Sequence, residues 1–406
     1  MTNTIFTPRG VAAAFGGMFL VGALEALYGP SLIRIIDRFD ADPSTVGIVI
    51  SAHFVGGLLG VLTSQNLHNR IGNKTLLSVG YLLLIIGSVS FAWAPTLTLA
   101  ITASALAGLG FGALDYALSH LFAVAFTTNA SRMLNYLHGF FGLGAITAPL
   151  VVALFGPERY PAYFTGFAIL ALITALGITG VSAQPTQSTV SDTRSVDVSN
   201  TQETPRPLGS TSKVVTLFAL MVAVFVLHVA VGSGIGTWEA SYLSLQGMSV
   251  EFAAAATSIF WLSMTISRFA LASVIKTTAP ATVVIASCLL MFTASLSASI
   301  DGIAIVAFAI AGFAIGPIFP TALAWATQLF GEKTWVSGYL IALSMIGGIA
   351  FPPLLGMTLG SAQDTWSLPM ALAALSLLTL AAAVIISVAN RGLRKAGQGR
   401  TFATRT

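Results

Sequence analysis

The stretch AQPTQSTVSDTRSVDVSNTQETPRPLGSTS, from Ala183 to Ser212, decides how the rest of the chain is read. Rich in Ser, Thr, Gln and Pro, it has no run able to cross a bilayer or build a core. On either side the text turns into long apolar runs broken by charges, prolines and polar turns. Six runs precede it, at 10–36, 44–68, 75–94, 96–126, 132–156 and 161–182. Six follow, at 214–245, 250–275, 280–299, 301–330, 334–360 and 365–390. Each is long enough for the roughly 20 residues that a bilayer crossing needs. The expected fold is an all-α membrane protein of twelve transmembrane helices in two six-helix, pseudo-symmetric bundles. Its parts are a bundle over 1–182, a cytoplasmic linker over 183–213, a second bundle over 214–390 and a cytoplasmic basic tail over 391–406.

Composition agrees. Of 406 residues, 55% are hydrophobic and 8% charged, against about 25% charged in an ordinary soluble domain. A soluble globular protein is excluded, and the single cysteine, Cys288, excludes a disulfide scaffold. The first run follows Arg9 as a signal peptide would. It extends beyond the usual h-region of about 7–15 residues and carries Glu25, so it reads as a retained helix.

The location of the charges sets the expected orientation. With the N-terminus in the cytoplasm, Arg9, Arg70, Lys74, Arg132, Arg194, Arg206, Lys213, Lys276 and Lys333 lie inside, together with tail cations Arg391, Arg394, Lys395, Arg400 and Arg405. Arg34, Arg38 and Arg159 lie outside, and Arg268 falls within the eighth run. This positive-inside bias places both termini in the cytoplasm of a bacterial inner-membrane protein. The five histidines are dispersed and no GxxxxGK[ST] loop is present, so no metal, cofactor or ATP site is expected. The bilayer is an expected partner. No nucleic acid is expected, and the chain is expected to act as a monomer.

The two halves echo one another. Glu25-Ala26-Leu27-Tyr28 returns as Glu239-Ala240-Ser241-Tyr242, AGLGFGALD from Ala107 as AGFAIGPIF from Ala311, and GAITAP ending at Pro149 as GGIAFP ending at Pro352. Parallel six-helix repeats joined by a linker are an architecture of secondary transporters whose site lies near the midplane.

On these features the chain resembles a major facilitator superfamily transporter over essentially its whole length. The superfamily's G-x-x-x-D-R-x-G-R-K loop corresponds to QNLHNRIGNK, Gln65 to Lys74. Arg70, Gly72 and Lys74 match; Gln65 and Asn69 replace the Gly and the Asp. Within the superfamily the chain is most similar to the fucose, galactose and glucose proton symporters. Their L-N-x-x-Q-x-F-N-x-x-G corresponds to LNYLHGFFGLG from Leu134, with His138 for Gln and Phe141 for the second Asn. GIGTW at Gly234–Trp238, Ser267-Arg268-Phe269 and Phe319-Pro320-Thr321 resemble three further motifs of that group. The resemblance implies proton-coupled sugar symport. It also implies a helix 4 carboxylate after a Gly-rich stretch, which is Asp115 here, and a helix 1 carboxylate whose aligned position is Ala26, one residue from Glu25.

The residues support that expectation independently. Ionisable groups within membrane spans mark function, and Glu25, Asp115 and Glu239 are such groups. A carboxyl withdrawn from water retains its proton more firmly, as a proton-coupled carrier requires, and the proton-coupling candidates are Asp115 and Glu25. The helix 10 equivalent of Asp115 is Phe319, so such a switch resides in one half. Asp115 has a structural alternative, pairing with His120 or Arg132, and Glu25 has another role open to it as a substrate acceptor. His228, Gly232, Ile235 and Glu239 share one helical stripe. Sugars take aromatic faces and polar groups, for which Tyr28, Tyr116, Asn135, His138, Trp238, Glu239 and Gln328 are the candidates, with Tyr242 and Trp325. Arg268 either snorkels to the cytoplasmic interface, the simpler reading, or pairs with a substrate anion, Glu239 or Asp301, and His53 and His120 are either neighbours of Asp115 or satisfied core histidines. An exporter of amphiphilic compounds is the alternative, since Phe141 and Phe319 make the pocket apolar. An enzyme would need clustered acid and base groups, whereas these carboxylates are spread over three helices.

Overall fold

The computed structural model describes residues 5–126, 129–183, 211–270, 278–300, 302–331, 334–359 and 366–403. Linker residues 184–210 lie outside the described residues. Among those described the chain is helical, with no strand and an isolated bridge between Phe6 and Val181. Twelve helices are long and apolar enough to cross a membrane. In lipid every backbone polar group must be satisfied within its own segment, which helices achieve.

The helices are α1 (Pro8–Phe39), α2 (Pro43–Leu67), α3 (Asn73–Ala92), α4 (Leu97–Ala125), α5 (Ala130–Phe155), α6 (Tyr160–Ala175), α7 (Thr211–Leu245), α8 (Val250–Ala270), α9 (Pro280–Ser297), α10 (Ala304–Phe330), α11 (Thr334–Gly356) and α12 (Ser367–Ala403). Local signals start and stop them. Thr7 caps α1 by accepting from Gly10 N at 3.3 Å, with Pro8 in the first turn. Asp40 ends α1 in the left-handed conformation, φ 46°. Asp42 caps α2, accepting from Thr45 N at 2.9 Å. Hydrogen bonds from Ser44 and Thr45 hold the Asp42 carboxyl well below the usual carboxylate range.

Three spans differ from expectation. The tenth is not one helix: it breaks at Gly316 and Pro317 into Ala304–Ile315 and Ile318–Phe330, because proline has no N–H to donate and disfavours helical geometry before it. The sixth turns from α-helix to a 3₁₀ turn at Leu176–Gly180. The twelfth continues past 390 to Ala403. The expected end of the eighth run, at 275, lies outside the described residues.

The chain forms two compact units, Met1–Arg194 with Ser233–Leu262 and Gly348–Leu368, and Ser195–Gly232 with Ser263–Gly347 and Pro369–Thr406. In the first, glycines let backbones meet. Gly56 and Gly60 of α2 face the carbonyls of Ala105 and Leu109 on α4, while Gly108 and Gly112 of α4 face those of His53 and Gly57. This is a reciprocal small-xxx-small seam. Gly110, on the other side of α4, packs on Gly80 and Leu84 of α3, and Gly22 of α1 packs on Phe141 of α5. Leu82 and Leu154 stay exposed, as lipid-facing side chains do.

The same unit contains a closed layer at the end of the spans where α1 finishes. Gly29 of α1 meets the carbonyls of Gly236 and Thr237 on α7, Gly47 of α2 meets Pro352 and Pro353 of α11, and Gly356 meets Pro43. Ser51 Oγ donates to the Ile349 carbonyl at 2.6 Å, and Trp238 Nε1 to the Pro352 carbonyl at 2.9 Å. In the second unit Gly347 of α11 meets the Val226 carbonyl of α7, and Gly316 meets Ser267 and the Met264 carbonyl of α8.

Two glycines give opposite expectations. A methyl at Gly112 overlaps the Gly57 carbonyl, whereas at Gly166 it meets nothing within 4 Å. Gly112→Ala is expected to cost about 1–3 kcal/mol through overpacking, and Gly166→Ala to gain about 0.5–1 kcal/mol of helix propensity. Melting of the full chain in detergent reads the two signs, and equal shifts would show that the α2–α4 seam yields. The closed layer has its own test. Gly29→Val places a branched side chain against the Gly236 carbonyl. A cysteine at Thr237, 5% exposed, should then react with a water-soluble maleimide about tenfold faster, the effect of roughly 1.4 kcal/mol against closure; an unchanged rate would mean that the layer accommodates the side chain.

Candidate functional site

Pro30 supplies no N–H for the Ala26 carbonyl one turn earlier, which loosens α1 beside Glu25. There Glu25 and Tyr28 of α1 line a cleft with Ile50, His53 and Phe54 of α2, and with Ser233, Gly236, Thr237 and Trp261 of α7 and α8. It has room for about one water molecule. Tyr28 is fixed from behind: Ser104 Oγ of α4 donates to the Val49 carbonyl at 2.8 Å and lies 3.3 Å from the Tyr28 hydroxyl. The His53 ring is held by Tyr28 at 5.1 Å and Phe111 at 4.9 Å between centroids, and both its nitrogens are buried without a hydrogen bond.

Asp115 is outside this cleft. It sits on the α4 side that carries Gly108 and Gly112, the side turned to α2, and the register of that seam brings Ser64 level with it. Gly108 meets His53, and seven residues of helix separate Gly108 from Asp115, about 10 Å along the axis. Asp115 is half-buried.

The next turn contains a cluster that sequence reasoning missed. His68, just past α2, comes within 4.6 Å of His120 and 5.8 Å of Tyr116, ring centroid to centroid. His68 Nδ1 is 2.6 Å from the Gln65 carbonyl and 3.2 Å from the Tyr116 hydroxyl. Tyr116 and His120 stack with 5° between their planes, and His120 Nε2 is buried without a hydrogen bond. The α2–α4 register predicts this meeting, but a single sequence does not announce that register. Of the two histidines expected near Asp115 or in the core, His53 lines the cleft and His120 joins this cluster.

The other candidates are dispersed. Trp238 is fully buried and anchored to α11. Glu239 beside it is fully buried, with no hydrogen bond to either carboxyl oxygen. Asn135 and His138 on α5 and Gln328 on α10 are exposed and do not line the cleft. Tyr242 is buried and accepts from Gln246 at 2.6 Å; Trp325 is buried as well. In the second unit the Arg268 stem lies beside Gly316, at the break in α10, with the residue exposed. His228 packs on Phe319 at 5.9 Å, and its Nδ1 is 2.9 Å from the Val224 carbonyl. The cleft thus unites Glu25 and Tyr28, both named from the sequence as candidates, with Ser233, Thr237 and Trp261, which sequence reasoning did not name as ligands. Among the described residues no group of three or more His, Cys, Asp or Glu could hold a metal.

Comparison with known proteins agrees with this architecture. The family model described as Major Facilitator Superfamily matches residues 14–352. The niacin transporter NiaP of Acinetobacter baylyi is 31% identical over 30% of this chain and 28% of its own length, and the arabinose-proton symporter of Bacillus subtilis 32% identical over 25% and 22%. The chain thus matches about a quarter of the length of these two relatives. The Bacillus subtilis MFS-type transporter YfkL is 25% identical over 88% of this chain and 89% of its own. Among solved structures, the nucleoside transporter NupG superposes with a TM-score of 0.74 at 13% identity, covering 93% of this chain and 98% of that one. The xylose transporter XylE from E. coli, partially occluded and inward open, gives 0.72 at 12%, covering 93% and 96%. The E. coli fucose:proton symporter FucP gives 0.58 at 18%, covering 93% and 98%. With twelve spans, a two-half repeat and a family model matched over most of its length, the chain belongs to the Major Facilitator Superfamily and is a multi-pass membrane transporter rather than an enzyme.

Proposed function

We propose that the chain is a proton-coupled symporter of a sugar or sugar-like small molecule, working by alternating access between bundles 1–182 and 214–390 with both termini cytoplasmic. The observation that carries this reading is the cleft. Aromatic faces from Tyr28, Phe54 and Trp261 surround the hydroxyls of Ser233 and Thr237 and the carboxyl of Glu25, the mixture that a sugar's C–H patches and hydroxyls need. The cleft's small size fits a resting state that must open to admit substrate. Names among the relatives, an arabinose-proton symporter and two sugar transporters of known structure, point the same way.

In the proposed cycle Asp115, assisted by Glu25, takes a proton from outside and permits substrate to bind; loss of that proton inside favours release. The coupling is the difference in affinity for proton and sugar between the two conformations. The α2–α4 seam supports it mechanically. His53 of the cleft and Asp115 ride on helices in backbone contact, so a change at one is carried to the other without an intervening joint. The alternative reading, an exporter of amphiphilic compounds, is favoured by one feature: no amide side chain lines the cleft.

Proteoliposomes test the proposal. Sugar addition should drive proton uptake by the wild-type protein. Asp115→Asn should abolish that uptake and concentrative transport while retaining sugar exchange. An Asp115→Asn protein that still concentrates sugar removes Asp115 from the coupling. Thermal stabilisation by lipophilic cations and not by sugars would move the assignment to export.

A further inference from the structure

Among the described residues, Glu239 alone combines a carboxyl with complete burial and no hydrogen bond to either oxygen. It lies one turn beyond the contact of Gly236 and Thr237 with Gly29, toward the end where α1 finishes. Trp238 beside it is tied to α11 through the Pro352 carbonyl and packs on Gly356. On α8, Trp261 meets Gly236. The hairpin makes α7 and α8 antiparallel, so three residues from each contact bring Ser258 level with Glu239, and the Ser258 hydroxyl also has no partner. Glu239 is therefore enclosed within the layer that closes this end.

Among the described residues no neighbouring charge bonds to it. The titratable groups on the elements packed here are Glu25, Tyr28, Arg34, Asp37 and Arg38 on α1, His53 on α2, Glu251 on α8 and Tyr242 on α7; α11 carries none over 348–356. Arg34 is engaged by Asp37 and Glu158, and Arg38 by Tyr160. None bonds to Glu239. An ionised carboxylate in this layer would be an unpaired charge in a dry, packed environment.

We infer that closing this end of the transporter takes up one proton at Glu239. The carboxyl is neutral while α1 and α7 are in contact, and it returns its proton to water when they part and it becomes hydrated. Glu239 is then a second proton site located in the gate itself, and gate closure is linked to pH. The inference rests on the alternating-access reading above but differs in where the proton acts: Asp115 governs substrate coupling, Glu239 governs closure. The repeat adds weight, because the equivalent carboxylate of the first half, Glu25, lines the cleft instead.

The test uses the full chain with Thr237→Cys as reporter and a membrane-impermeant maleimide, with labelling at each pH normalised to the unfolded chain. Between about pH 5 and pH 9, a one-proton linkage raises the reactive fraction by up to about tenfold per pH unit. Glu239→Gln should flatten that profile and hold the layer closed throughout, while Asp115→Asn should keep the slope. The same slope in Glu239→Gln, a slope lost in Asp115→Asn instead, or no slope in the parent would each overturn the inference. Should Glu239→Gln fail to fold, Glu239→Met, neutral and of similar volume, carries the same expectation. Concentrative transport by Asp115→Asn would overturn the coupling role of Asp115 and leave this inference standing.

Discussion

In lipid no hydrophobic force pulls one helix onto another, so close backbone approach has to supply the attraction between them. The α2–α4 seam does this with Gly56, Gly60, Gly108 and Gly112 set against carbonyls of the facing helix. That seam sets the positions of several candidate residues in the first unit. It puts His53 against Phe111, brings Ser64 level with Asp115, and carries His68 to Tyr116 and His120 one turn further on. Gly110 faces the other way, onto α3. The Gly-rich run before Asp115 is thus explained by packing on two sides, and the carboxylate is held by helices with little room to shift independently.

The closed layer uses the same chemistry in a different balance. Gly29 against Gly236 and Gly47 against Pro352 and Pro353 are again backbone contacts, and the hydrogen bonds from Ser51 to Ile349 and from Trp238 to Pro352 both end on backbone carbonyls. A contact built from shape and a small number of hydrogen bonds to carbonyls separates without stranding many buried polar groups. A permanent interior needs the opposite. The contrast between the four-glycine seam and this layer accords with the proposed alternating access, in which one contact persists and the other opens.

Much of this was legible in the sequence and some was not, for definite physical reasons. Span number, the repeat and the membrane-embedded carboxylates follow from apolar length and charge scarcity, which are local properties. The break at Gly316 and Pro317 was also written there, yet the surrounding AGFAIGPIF is so apolar that hydropathy runs through it. The His68–Tyr116–His120 cluster depends on the relative register of two helices, which no property of either alone specifies. Tyr28 and Glu25, named separately in the sequence as a substrate and a proton-coupling candidate, line one cleft, and their i, i+3 spacing puts them on one face of α1. Their partners Ser233, Thr237 and Trp261 come from distant helices and carry no local mark. Asn135 and His138, drawn from a motif resemblance, are exposed on α5 rather than in that cleft.

The repeat explains why chemistry and architecture diverge. Duplicated halves begin with equivalent residues, and equivalent positions here now differ in kind. Asp115 lies on an unbroken α4, whereas Phe319 follows the break in α10 and packs on Phe225 and His228. Glu25 reaches a cleft, whereas Glu239 is sealed. A symmetric pair of titrating switches would give both halves the same response to a proton and no preferred order of events. With one carboxylate on the α2–α4 seam, one at the cleft and one in the closed layer, the proposed cycle would reach each of them at a different step. In the proposed cycle the gradients of proton and substrate set the direction, and the unequal halves set which carboxylate meets water at which step.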